Sequence, residues 1–334
     1  MRAVVIERLV ESEQALSGLT CSKVDIPKLE RKGDVLVHVM ASGVNFPDAL
    51  LAQGKYQQKP ALPFILGTEF AGVVQQSQGQ RFKAGDRVMG FVLTGAFAEF
   101  ICVDESDLVS VPESFSLEEA AAFLLTYGTS YYALIVRAQL KAGETVLVHA
   151  AAGGVGSAAV QIAKAVGARV IATAGSEGKV SIAKSAGADF AINYSLEKDW
   201  PAQVKSLTKG RGAHVIYDPV GGDVFRQSLK CIAWNGRLLV IGFASGQIPK
   251  ISANLLLLKN CSVVGVFFGA FTKLQSSNYK SMLQDMLGLA VAGHLRPIIG
   301  AKYPLEETGR ALFHLTSRMS YGKLILTTRA ASSL

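Results

Sequence analysis

VLVHAAAGGVGSAAVQIAKAVGA, residues 146–168, runs from an apolar stretch through a cluster of glycines into a helical pattern. Residues 146–148 read as a buried strand. Ala150, Gly153 and Gly156 stand at the spacing AxxGxxG, and Val160, Ala163 and Lys164 follow on a helix that ends at Gly167. A turn of this kind lets a pyrophosphate approach the unpaired N–H groups at a helix start, where the dipole also favours an anion. A side chain at Gly153 or Gly154 would hold the phosphate away, and Gly156 lets the helix pack closely on the strand. Ala152, Gly153, Gly154, Val155 and Gly156 are therefore the candidate dinucleotide-binding residues. Glycines also serve tight turns that bind nothing, but here they follow an apolar strand and open a helix.

Working outward, strand and helix patterns alternate. RVIATAG reads as a strand, GKVSIAKSAGA as a helix, FAINY and HVIYDPVGG as strands, DVFRQSLKCIA as a helix and GRLLVIGF as a strand. Repeated βα units predict an α/β fold with a doubly wound parallel sheet. Upstream, residues 116–140 read as one helix, with Ser116 as its cap and Glu118 and Glu119 near its positive end. The first 120 residues are β-rich. DVLVHVMASGVN alternates over Val35, Val37 and Val39, and FAGVVQQ, DRVMGFV and GAFAEFICV are further short strands punctuated by Gly and Pro. That is the pattern of a compact, barrel-like β domain. Beyond residue 251 we expect a strand near residues 262–267 and a helix near residues 278–293. The closing YGKLILTT reads as a strand that returns to the first domain.

Composition agrees with two globular domains: 334 residues, 49% hydrophobic and 18% charged. The net charge of +8 could address nucleic acid, a membrane surface or an anionic small molecule. No long run of like charges occurs, so no dedicated nucleic-acid site is expected. Cys21, Cys102, Cys231 and Cys261 are far apart and form no CxxC pair. This argues against a zinc knuckle or redox dithiol and fits a reducing compartment. MRAVVIERLV does not resemble a signal peptide, and no apolar stretch reaches the ~18 residues of a membrane span. A soluble, cytoplasmic protein is expected.

The second strand of the sheet discriminates between nicotinamide cofactors. An NAD site usually ends it with Asp or Glu on the ribose 2′-hydroxyl, and such a carboxylate repels a 2′-phosphate. Here the strand ends Thr173-Ala174-Gly175-Ser176, with Lys179 three residues on. Ser176 can hydrogen-bond a phosphate oxygen, Lys179 can supply charge, and Tyr194 at the end of the next strand can reach the same place. These residues favour NADPH. Lys179 could instead be a solvated helix residue and Tyr194 a packing residue. Glu177, read as outward-facing, would weaken the preference if it turned inward.

With these residues in place, the chain resembles the medium-chain dehydrogenase/reductase superfamily, in its zinc-free NADPH:quinone oxidoreductase (zeta-crystallin-like) branch. The resemblance rests on GVNFPDALLAQGKY at 43–56, PFILGTEFAGVV at 63–74, GDRVMGF at 85–91, AAAGGVG at 150–156 and GKLIL at 322–326, and it spans essentially the whole chain. It implies a GroES-like β-barrel-type domain plus a Rossmann domain. We expect residues 1–122 as the first part of the GroES-like domain, 123–260 as the NADPH-binding domain and 261–334 as the return, with about ten residues of latitude at each edge. Zinc-dependent members are similar but carry a Cys after the first-domain glycine and a His in a GHE turn. Here Asn45 and Thr68 stand in those regions, so a catalytic zinc with three protein ligands is not expected.

The resemblance further implies that Asn45 and Tyr56 line the nicotinamide and substrate cleft, Asn45 holding a carboxamide or carbonyl and Tyr56 steering a quinone. The lesser alternative for Asn45 is a loop residue that closes an Asx turn, Tyr56 could almost as well be a packed loop residue, and Asp48 is expected to cap the helix after Pro47. Thr129 resembles the position that approaches the nicotinamide, with a helix-interior Thr as the alternative. Gly242 and Phe243 end a sheet strand, where doubly wound folds place ligands. Phe267 and Phe268 either cover the nicotinamide or form a core aromatic pair. Lys323 resembles a C-terminal basic residue that approaches the cofactor phosphates. A homodimer through sheet edges near residues 262–267 is also implied.

The expected reaction is hydride transfer from NADPH to a quinone, with a proton from water or a hydroxyl. One-electron transfer stays open. Reduction of an activated C=C bond of an enone uses the same parts. A non-catalytic NADPH- or RNA-binding role is the reading from another class. His38, His149, His214, His294 and His314 show no partner spacing for a hydrolase, and His149 reads as a strand-end residue.

Overall fold

The computed structural model describes residues 1–328. The chain divides into two units, Met1–Leu125 with Pro297–Leu334, and Thr126–Arg296. The later boundary corrects the one expected at 260/261. The strand Ser262–Gly265 pairs in parallel with Ile232–Val240, so it completes the second unit's sheet instead of starting the return. Residues 329–334 of the expected return lie outside the described residues.

In the second unit six parallel strands lie in the order Phe190–Asn193, Arg169–Ala174, Thr145–Val148, Ala213–Asp218, Ile232–Val240, Ser262–Gly265. The chain starts in the middle, winds one way, then returns to wind the other. The order therefore reverses between Thr145–Val148 and Ala213–Asp218, and ligands of such sheets bind beyond the carboxyl ends of the strands at this switch. Leu147, Ile171, Ile216 and Leu238, one from each of four strands, are fully buried against Trp200, Val204, Phe225 and Leu229. Each such side chain contributes roughly 1.5–3 kcal/mol. The helix Trp200–Leu207 has no counterpart in our sequence reading. Its start is set by Asp199, whose carboxylate accepts from Ala202 N–H, and by Pro201 in the first turn.

His149 sits directly after the central strand and is completely enclosed. Its Nδ1 lies 2.9 Å from Thr173 Oγ1 and its Nε2 2.9 Å from Ser228 Oγ. The Ser228 hydroxyl donates to Val224 O, so it accepts from Nε2–H, and Thr173 donates to Nδ1. Both ring nitrogens of a neutral imidazole are thus satisfied. Burial pushes the His149 pKa down to about 3. Below pH ~6.5 the unfolded chain takes up a proton here that the folded chain refuses, so stability falls with pH by about 1.4 kcal/mol per unit from this group. In urea titrations between pH 6.5 and 4, His149→Gln should show a shallower loss of stability than the parent. Equal slopes would remove His149 from this role.

The first unit is a seven-stranded, mostly antiparallel sheet around the long strand Asp34–Val44. Phe100–Asp104 pairs with its first half, Lys323–Thr327 with its last residues and Glu69–Ser77 along its length. Val35, Val37 and Val39 are buried as their alternation predicts, packed with Leu66, Phe70 and Phe97. The final strand does return here, antiparallel to Asp34–Val44.

The single helix expected over residues 116–140 is broken. Ser116 caps Leu117–Ala120, with Glu119 reciprocating. A new helix, Leu124–Tyr131, follows, and Leu125 N–H gives its hydrogen bond to the buried Glu69 carboxylate at 2.9 Å. Tyr132–Arg137 then widens into π-helical turns, closed by Ala138 N–H on Ala133 O.

Candidate active site

In the second unit the helix Gly154–Ala165 starts from Gly153, whose own conformation is extended and which supplies no capping side chain. Its first amides are therefore left for another acceptor. Gly153, Gly154 and Val155 are half-buried, while Ala152 is enclosed. A Cβ on Gly156 would come within 2.2 Å of Ala150 O, so the glycine is required by backbone packing. Ala150 itself has a positive φ of 49°, the left-handed conformation that tightens the turn.

The neighbouring strand ends at Ala174 without a carboxylate. Ser176 caps the next helix, accepting from Lys179 N–H at 3.3 Å, and its hydroxyl proton stays available as a donor. Lys179 is half-buried on the first turn, and burial lowers its pKa. Tyr194 lies across Gly175: a Cβ there would meet the phenol oxygen at 2.7 Å. Ser176 and Tyr194 thus flank the same glycine. The Glu177 carboxylate is engaged by Asn193 Nδ2 at 2.7 Å at the surface. Two hydroxyls beside Gly175 and a partly desolvated lysine on the first turn of the next helix, with the acid of that turn tied aside, are groups that suit a phosphate monoester.

On the other side of the switch, Asp218 ends its strand and accepts N–H bonds from Val220 at 2.8 Å and Gly221 at 3.0 Å. These bonds shape the loop, which pairs with the segment after Ile232–Val240 through Ala244 and Ser245 N–H. Gly242 and Phe243 lie in that segment, half-buried, and Phe243 packs over Gly221. Thr129 is half-buried on the helix Leu124–Tyr131.

In the first unit a buried polar cluster gathers around Lys323. Its Nζ donates to Asn45 Oδ1 at 2.6 Å, Val44 O at 3.1 Å and Glu69 Oε2 at 3.2 Å. Asn45 Nδ2 donates to Gly43 O at 3.0 Å and lies 3.3 Å from Glu69 Oε2. Asp48 closes the turn as expected, accepting from Asn45 N–H at 2.7 Å, and burial pushes its pKa up to about 7. Tyr56 is half-buried against the core, and burial followed by the Asp48 charge raises its phenol pKa.

Comparison with known proteins agrees with this geometry. The alcohol dehydrogenase GroES-like domain model matches residues 31–113 and the zinc-binding dehydrogenase model residues 154–287. A quinone oxidoreductase-like protein 2 homolog of Nematostella vectensis is 43% identical over 302 residues, spanning 88% of this chain and 82% of that protein. The chain belongs to the quinone oxidoreductase family of medium-chain dehydrogenase/reductases. Human quinone oxidoreductase is 35% identical over 86% of each chain. The crystal structure of Escherichia coli quinone oxidoreductase complexed with NADPH matches with a TM-score of 0.87 and 30% identity, over 98% of this chain and 100% of that one.

Within this quinone oxidoreductase family member, three expectations change. Lys323 is not available to phosphate: its three N–H donors all have acceptors within the buried cluster. Phe268 is enclosed against Gly128, Tyr132 and Tyr279, so it is a core residue; Phe267 beside it is 45% exposed. Asn45 spends its amide on Gly43, Glu69 and Lys323, so it shapes the loop instead of presenting the amide to a ligand. Glu69 was missed, although GTE stands in a quoted motif, because its partners are remote in sequence. Among the described residues no group of three or more His, Cys, Asp and Glu could hold a metal ion, and no helix is long and apolar enough to cross a membrane.

Proposed function

We propose that this chain reduces quinones with NADPH by hydride transfer that uses no zinc. The observation that carries the cofactor choice is the cradle of Ser176, Lys179 and Tyr194 beside a strand end that lacks a carboxylate. Bound NADPH supplies the hydride. The first-turn amides of Gly154, Val155 and Gly156 hold the pyrophosphate, and Ser176 and Lys179 take the 2′-phosphate. Gly242, Phe243, Phe267 and Thr129 are assigned to the nicotinamide end.

A quinone that accepts a hydride becomes a hydroquinone monoanion and needs one proton. Tyr56 keeps its phenol proton at neutral pH and can donate a hydrogen bond to the oxygen as charge develops. Water then supplies the proton, so no strong general acid is required. The residues contribute orientation and exclusion of water.

Lys179→Ala tests the cofactor assignment. A hydrogen bond to a charged group contributes about 1.5–3 kcal/mol, so NADPH affinity should fall roughly tenfold or more while NADH affinity stays the same. Calorimetric titration reads both. Equal losses would refute the 2′-phosphate assignment.

We also read Ser262–Gly265 as a dimer edge. It ends the six-stranded sheet with one side unpaired among the described strands. Leu257 and Leu258, on the helix just before it, are 80% and 71% exposed. A second copy adding its own edge strand would satisfy the backbone and cover these side chains.

A further inference from the structure

Beneath the glycine turn lies a chain of hydroxyls that the roles above leave unused. Ser130 Oγ is 2.9 Å from Val155 O, 2.8 Å from Thr126 O and 2.9 Å from the Tyr217 hydroxyl, and both side chains are fully buried. The two carbonyls can only accept, so the Ser130 proton goes to them. Tyr217 is then the donor to Ser130 Oγ. The chain runs from the strand Ala213–Asp218, through the helix Leu124–Tyr131, to the second residue of the helix Gly154–Ala165.

Val155 O and Gly156 N–H belong to one planar peptide unit and point in opposite directions. Anchoring the carbonyl on Ser130 fixes where the Gly156 amide points. Gly156 is also the residue pressed against Ala150 O, so this peptide is held on both sides. Pre-oriented N–H groups bind an anion without the cost of ordering them first.

We propose that Ser130 and Tyr217 are positioning residues that set dinucleotide affinity by fixing the Val155–Gly156 peptide. The inference rests on the dinucleotide reading of this turn. Its signature is a loss shared by both cofactors, because the pyrophosphate end is common to NADPH and NADH.

The test is calorimetric titration of the full chain and its variants Tyr217→Phe and Ser130→Ala with NADPH and with NADH. Tyr217→Phe keeps the ring volume and removes only the donor. Each variant should lose roughly three- to tenfold in affinity for both cofactors, the size expected for one hydrogen bond. The double variant should lose little more than the Ser130→Ala single, since both act through one chain. The acceptor KM should be unchanged. If the parent chain binds neither cofactor, the dinucleotide reading fails. If the parent binds and both single variants bind equally well, the positioning role is overturned even where their thermal midpoints fall. A loss confined to NADPH would also overturn it.

Discussion

Gly156→Ala is expected to cost the second unit about 3 kcal/mol and to lower dinucleotide affinity at least roughly tenfold. The added Cβ would lie 2.2 Å from Ala150 O and 2.8 Å from Ala150 C and Ala151 Cα. All three atoms are backbone, so no side chain can turn away. Relief requires the turn to open, which moves the amides meant for the pyrophosphate. Gly153→Ala is the comparison: its Cβ would meet only Ala150 O, at 3.3 Å, and a small shift accommodates it. Thermal unfolding should separate the two variants clearly, while both should bind the dinucleotide less well, Gly153→Ala because its Cβ stands where the phosphate approaches. Equal stability for both would show that the turn yields more easily than its packing indicates.

Lys323→Met should destabilise the first unit by about 3–5 kcal/mol, the usual cost of stranding one member of a buried ion pair. Glu69 is completely enclosed, and its carboxylate also accepts from Leu125 N–H. Without the ammonium it keeps a charge with no compensating cation in contact. Asn45 Oδ1 and Val44 O lose a donor in the same step. Glu69→Gln alone should cost a similar amount by stranding the lysine. The pair Lys323→Met with Glu69→Gln should recover much of the loss, because the opposite charges of this ion pair are then removed together. Urea unfolding of the three variants reads this directly. A single variant costing under 1 kcal/mol would remove the cluster from its structural role.

These two sites differ in how far they were legible in the sequence. The turn is local: strand, glycines and helix lie within residues 146–168, so spacing alone identifies it. The proposed 2′-phosphate site is nearly as local, with Tyr194 brought over Gly175 by one βα unit. The Lys323 cluster joins residues 278 positions apart, and no periodicity reports such a contact. A resemblance could place a basic residue there but not say which way it turned. Phe267 and Phe268 show the same limit, since adjacent aromatics of equal hydrophobicity take opposite environments. The break near residue 123 followed from Glu69 capturing a helix amide across the fold, a competition invisible to helix propensity.

The central claim is hydride transfer from NADPH to a quinone without a metal. The most direct measurement follows NADPH absorbance after adding a naphthoquinone to protein dialysed against a chelator, with NADH and an enone as parallel substrates. The account predicts quinone-dependent NADPH oxidation that survives chelation and exceeds the rate with NADH. NADPH that binds but is not oxidised by any quinone, or oxidation that disappears on chelation and returns with zinc, would contradict it.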